Sequence, residues 1–368
     1  MKVLTSLFLI TTCTITSVQS KDSDLMKDLS FKTSSGTTLK YLLFVPKNYS
    51  ATQKYPLVVS LHGAGSDYKY QVDNNDQARP WIDDSVQAAV PHFFMAPGCP
   101  SGSWGGMMGA GTSLSAEAKA VIDAIEDLKK QYSLDTTRFV IGGFSLGGAG
   151  TYHMIQFLPN YWAAACPVAA GGSADNIEVI SKTPIWHHHG ANDQDGAGLT
   201  RMATALEKAN YPVFHITNEI VVKTPADWTR EIQKGTKPED IIFKNSKPSY
   251  DSISKAVDAG AKFIYQLITG NGAGHEEARL NANHNPLLAK WAFSKRKGGP
   301  AVAIVPLPSR TTIACKNESK TVLTTGNVSP ARYVNNRIFT LLGQTDLQQP
   351  ASSNSSVILR VYKPSIKK

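Results

Sequence analysis

Between Tyr41 and His275, continuous apolar runs alternate with amphipathic stretches, the pattern left by a mostly parallel sheet covered by helices on both faces. Residues 57–61 form an apolar run stopped by His62-Gly63, and residues 92–96 form another stopped by Pro97-Gly98, so both predict buried strands. From 115 to 132 the period lengthens, and Val121, Ile122, Ile125 and Leu128 line up as the apolar stripe of a helix laid against a sheet. Residues 138–142 return to strand. Residues 151–157 continue a helix that ends at Pro159, and 162–169, 185–188 and 263–268 predict three further strands. The expectation is a doubly wound α/β domain.

Both ends of the chain depart from this pattern. Residues 1–20 carry Lys2, an apolar stretch over 3–10 and small residues at 17–20, which reads as a secretory leader. The stretch is too short for the roughly 20 residues of a bilayer span. At the other end, 295–300 is basic and Gly-rich, a linker by composition. Beyond it, 301–305, 311–314, 321–324, 338–342 and 357–361 are short β-like runs separated by Pro, Gly, Asn and Ser. The expected organisation is therefore a leader at 1–20, a main domain at 21–297 and a small all-β appendage at 298–368.

Charge follows the same division. The net charge is +9, yet twelve Lys and Arg against two acids lie from 295 onward, so residues 1–294 are close to neutral. A nucleic-acid enzyme would carry its basic residues around the site, so nucleic acid is excluded as partner and the basic tail is left for envelope or secretion-machinery contact. Outside the leader, Cys99, Cys166 and Cys315 are odd in number and far apart, which allows one disulfide at most.

The candidate chemistry centres on Gly143-Phe144-Ser145-Leu146-Gly147, which follows a predicted strand and precedes a predicted helix. A serine at such a strand-to-helix corner is pushed toward solvent, and the flanking glycines are required where a Cβ would collide with the neighbouring elements. The first helical turn leaves the Leu146 N–H without an intrahelical acceptor, so it is a candidate oxyanion donor. A serine hydroxyl needs an imidazole to take its proton and an acid to orient that imidazole. Asp193, just past the strand at 185–188, is the expected acid, with Asp195 as its rival. His275, in a glycine-rich loop after the strand at 263–268, is the expected base, with His284 and His215 as rivals. The second oxyanion donor is expected at Ala64 or Gly63 in Leu61-His62-Gly63-Ala64-Gly65. His62 braces this loop or lines the substrate pocket, and Trp104 walls the pocket or merely packs. Consecutive His187-His188-His189 on a strand point to opposite faces and cannot converge on one metal ion, so no metal is expected there.

With these residues assembled, the chain resembles secreted α/β-hydrolases described as predicted peptidases, dienelactone-hydrolase-like and polyhydroxybutyrate-depolymerase-like proteins, and feruloyl or acetyl-xylan esterases. The resemblance rests on residues 61–65, 96–100, 135–138, 143–147, 162–165 and His189-Gly190 with Asp193, in that order, and spans about 35–297. It implies an α/β-hydrolase fold, to which the tail's own β-like runs add a small all-β appendage, and a cofactor-free serine esterase using Ser145, His275 and Asp193 on small-molecule or polysaccharide-linked esters. A peptidase on the same fold, or an inactive binding protein, are the alternative readings. Two features depart from the family: Glu276-Glu277-Ala278 follows the histidine where an aromatic is usual, and Asp193 and His275 are farther apart than one helix and one strand need. Residues 211–250 therefore read as an insertion, either a cap over the pocket or an elaboration of the sheet edge. The tail resembles the C-terminal sorting domains of secreted enzymes.

Overall fold

The apolar runs become the centre of one sheet in the computed structural model, which describes residues 21–105, 112–193, 196–298, 332–334 and 337–339. Its strands are β1 (Lys27–Lys32), β2 (Thr38–Phe44), β3 (Tyr55–Leu61), β4 (Phe93–Pro97), β5 (Leu134–Phe144), β6 (Ala164–Val168), β7 (Ile185–Gly190), β8 (Val213–Glu219) and β9 (Phe263–Thr269). They lie in the order β1-β2-β4-β3-β5-β6-β7-β9-β8. β1 pairs antiparallel with β2, and β2 with β4, while every other neighbour is parallel.

The central strand β3 is buried at every position. Successive side chains of a strand face opposite ways, so its residues divide between two cores. Leu57, Val59 and Leu61 join one cluster with Val121, Ile125 and Tyr152, whereas Val58 joins another with Val140, Trp186, Ile264 and Trp291. Each fully buried aliphatic side chain contributes about 1.5–3 kcal/mol.

Among the helices, α1 (Tyr70–Asp73), α2 (Arg79–Ile82) and α3 (Asp84–Ala89) are short turns between β3 and β4. Next, α4 (Ala116–Gln131) starts at Ser115, whose hydroxyl accepts from the Ala118 N–H, and buries Val121, Ile125 and Leu128 as the stripe predicts. Then come α5 (Leu146–Phe157), α6 (Ile177–Ile180), α7 (Gly196–Lys208), α8 (Pro225–Gln233), α9 (Pro238–Ile242), α10 (Tyr250–Asp258), α11 (His275–Asn283) and α12 (Leu288–Phe293). None of the helices among the described residues is long and apolar enough to cross a membrane.

The segment at 211–250 opens with β8, the outermost strand, which pairs in parallel with β9. Its first part therefore forms one edge of the sheet. The chain leaves β7 through α7, adds β8 at the rim, and returns through α8, α9 and α10 to insert β9 between them. Two crossovers thus fill the long interval between Asp193 and His275. The returning part packs toward the C-terminal end of α11: Trp228 of α8 is buried and stacks on His284 with ring centroids 4.0 Å apart.

The chain divides into two units, Asp22–Ala314 and a second made of Met1–Lys21 with Cys315–Lys368. In the second, β10 (Arg332–Val334) and β11 (Arg337–Phe339) pair as an antiparallel hairpin. The leader at 1–20, Cys315 and the remaining β-like runs of the tail lie outside the described residues. Cys99 and Cys166 are both free thiols.

Candidate active site

Ser145 has φ 59° and ψ −120°, a backbone conformation that costs a non-glycine residue about 1–3 kcal/mol and persists only where the surroundings enforce it. Those surroundings are visible. The Ser145 N–H is tied to the Val168 carbonyl of β6 at 2.9 Å. A Cβ on Gly147 would fall on the Leu61 carbonyl oxygen, and one on Gly143 would fall on Gly147 itself. The two glycines let β5 turn into α5 directly against β3, which leaves Ser145 partly exposed at the end of the sheet. A Cβ on Gly63 would lie 3.3 Å from both the Phe144 carbonyl oxygen and Ser145 Cβ, so the loop carrying Ala64 runs over this corner. Leu146 opens α5, where its N–H has no acceptor within the helix.

The acid and the histidine come from the ends of β7 and β9, which are neighbours in the sheet. His275 Nδ1 donates to Asp193 Oδ2 at 2.8 Å, and the carboxylate is almost fully buried while the imidazole is 39% exposed. The two loops are zipped together by main-chain bonds, with Ala191 N–H on Ile268 O at 2.8 Å and Asn192 N–H on Ala273 O at 2.9 Å. The Asp193 hydrogen bond raises the pKa of His275 above the usual imidazole value, partly opposed by burial. Phe144, the residue before the serine, lies with its ring centroid 4.7 Å from that of His275. Among the described residues Ser145 and His275 are not joined by a hydrogen bond; such contacts commonly tighten only around substrate.

His275 is the first residue of α11, and the Gly274 N–H preceding it is capped by Glu277 Oε2 at 3.1 Å. The neighbouring Glu276 accepts from Arg279 Nε at 2.8 Å, and the Arg279 guanidinium lies 5.6 Å from the Phe144 ring centre. The acidic pair after the histidine thus caps and braces the helix that holds it. Of the rivals, His284 is stacked on Trp228, and His215 sits on the edge strand bonded to Glu207 at 2.7 Å. Asp195 lies outside the described residues.

The approach of the two loops depends on Gly190, where a Cβ would fall on the Gly274 carbonyl oxygen and within 2.6 Å of that of Ala273. Backbone cannot yield as a side-chain tip can, so Gly190→Ala is expected to push the His275 loop away. A displacement of about 1 Å costs on the order of 100-fold in turnover. The check is ester hydrolysis alongside thermal unfolding; a fully active variant would show that the loops tolerate separation.

Of the two alternatives open for His62 and for Trp104, the contacts favour bracing and packing. Trp104 is fully buried and its indole N–H donates to the His62 carbonyl at 2.9 Å. His62 is buried too, its ring 5.3 Å from that of Trp104 and its Nδ1 2.9 Å from the Gly63 carbonyl, and burial lowers its pKa. An indole N–H needs a partner when desolvated, and here it finds the main chain of the 62–64 loop. Both residues brace that loop from inside the protein. Sequence reasoning also gave no role to Phe144 or Arg279, whose significance arises only from packing. It set aside His189, although its spacing from His187 puts the two on one face.

No protein-family model matches the chain. It is similar to the bifunctional acetylxylan esterase/xylanase XynS20E of Neocallimastix patriciarum, 29% identical over 163 residues that make up 44% of this chain and 22% of that protein. It is similar also to a probable feruloyl esterase C of Aspergillus niger, 29% identical over 158 residues, 42% of this chain and 54% of the relative. The chain thus spans well under two thirds of the length of these curated relatives. Among solved structures, that of a thermostable esterase superposes with a TM-score of 0.57 at 25% identity, covering 75% of this chain and 64% of the other. The sheet and its crossing helices are those of an α/β-hydrolase fold.

Proposed function

We propose that this chain hydrolyses carboxylic esters through an acyl-enzyme on Ser145, with His275 as general base and acid and Asp193 orienting it. The observation that carries the reading is the 2.8 Å bond from His275 Nδ1 to the buried Asp193 carboxylate, beside a serine held at positive φ. With Nδ1 engaged, Nε2 is the nitrogen free to take the Ser145 proton as Oγ attacks the ester carbonyl. The N–H groups of Leu146 and Ala64 receive the oxyanion, each contributing about 3 kcal/mol of transition-state stabilisation. Collapse of the tetrahedral adduct expels the alcohol, which takes the proton from His275. Water, deprotonated by the same imidazole, then attacks the acyl group, releases the acid and restores Ser145.

The substrates proposed are acyl esters of carbohydrate, such as acetyl or feruloyl groups, by analogy with the esterases to which the chain is similar. Substantial exposure of the His275 side chain suits esters borne on a bulky polymer. The leader at 1–20 would deliver the enzyme to the outside of the cell, where such polymers are met. The test is hydrolysis of acetyl, feruloyl and hydroxybutyrate esters beside a peptide anilide, with fluorophosphonate labelling of the same preparation. Ester turnover with one labelled serine at 145 is expected. Cleavage of the anilide in preference to every ester, or absence of labelling, would overturn the reading.

A further inference from the structure

The three consecutive histidines of β7 have no part in the mechanism above, yet all are fully buried. Their side chains alternate between the faces of the sheet. His188 Nε2 lies 3.0 Å from the Asn285 side-chain amide on one face. On the other, His187 and His189 sit with ring centroids 5.6 Å apart. Tyr152 Oη is 2.8 Å from His187 Nδ1 and 3.4 Å from Tyr265 Oη, so two tyrosines and two histidines form a buried column. At its end nearest the site, His189 Nε2 lies 3.7 Å from Asp193 Oδ2, the same oxygen that His275 Nδ1 approaches at 2.8 Å.

We propose that His189 is a positioning residue for the acid, holding the Asp193 carboxylate as a second imidazole so that Oδ2 is presented to His275. This rests on the reading of Ser145, His275 and Asp193 given above. Asp193 stands on a turn beyond the end of β7, and its burial makes each polar contact of its carboxylate costly to lose. At 3.7 Å, just beyond a hydrogen bond, Nε2 faces the carboxylate as a polar neighbour, so His189 acts on the pose of the acid. His189 itself is confined by the His187 ring, which Tyr152 fixes in turn. Nothing in this column touches substrate, and its effect is exerted through Asp193.

Two amide substitutions separate positioning from packing. The longer side chain introduced by His189→Gln carries its amide nitrogen to the place of Nε2, whereas in His189→Asn the amide reaches only the place of Nδ1. With p-nitrophenyl acetate and the full chain, His189→Gln is expected within about 3-fold of the parent, and His189→Asn lowers kcat about 10- to 100-fold with KM nearly unchanged. In an Asp193→Asn background the same His189→Asn change is expected to add less than about 2-fold, read as the rate of fluorophosphonate labelling. If His189→Asn does not fold, His189→Phe, which fills the ring volume without a donor, replaces it in every comparison. Equal kcat for the His189→Gln variant and its counterpart lacking the reaching donor, or an undiminished loss in the Asp193→Asn background, would reduce His189 to core packing. An Asp193→Asn enzyme as active as the parent would instead overturn the assignment of the acid, so the two failures are distinguishable.

Discussion

Ser145→Ala is expected to lower the turnover of p-nitrophenyl acetate on the order of a millionfold while the protein folds normally. On the proposed mechanism the loss is large because the acyl-enzyme route vanishes with the nucleophile, and what remains is water in a site that still binds the oxyanion. The fold should tolerate the change, since the positive φ at 145 is imposed by the Val168 hydrogen bond and by Gly147, neither of which involves the serine hydroxyl. Alanine at φ 59° carries the same backbone cost as serine. The measurement pairs steady-state kinetics with thermal unfolding. Undiminished turnover in a folded variant would remove Ser145 from the mechanism.

Asp193→Asn is expected to lower kcat by roughly 10⁴-fold and to alter its pH dependence. The amide keeps the size of the carboxylate but presents a donor or a neutral acceptor to Nδ1, so the productive tautomer is lost together with the stabilisation of the imidazolium. In the parent, Asp193 raises the pKa of His275 above 6.5; with His275 as the proposed base, only its neutral form takes the serine proton, and activity is expected to fall as pH drops through that raised value. Removing the negative charge moves the acid limb of the rate profile to lower pH. Asp195→Asn, at the rival position, should leave both kcat and the limb within about 2-fold. The reverse result, with Asp195→Asn severe and Asp193→Asn mild, would transfer the acid to position 195.

The contrast between the two loops and the strands shows how far the sequence could be read. β3, β4, β5, β6, β7 and β9 sit where the apolar runs put them, since central strands are buried on both faces and so are largely apolar, the histidines of β7 excepted. β1 left little trace because its Lys27–Lys32 segment is exposed at most positions on the sheet edge. Residues 213–216 are partly apolar, but nothing local says that β8 lies outside β9. Trp104 was left open for a related reason: nothing local says that its indole is spent on the His62 carbonyl.

By itself the sequence determined the strand-to-helix corner at Ser145, because the chemistry of that turn is local: two glycines, a serine between them, a strand before and a helix after. It also supplied the order in which acid and histidine follow. Only the tertiary structure decided that Asp193 meets His275, that Gly190 lets their loops touch, and that His189 stands close behind the acid. These contacts depend on β7 and β9 being neighbours although a whole strand and several helices separate them along the chain. Side-chain periodicity specifies which face of a strand is buried; it carries no record of which distant strand will pack beside it.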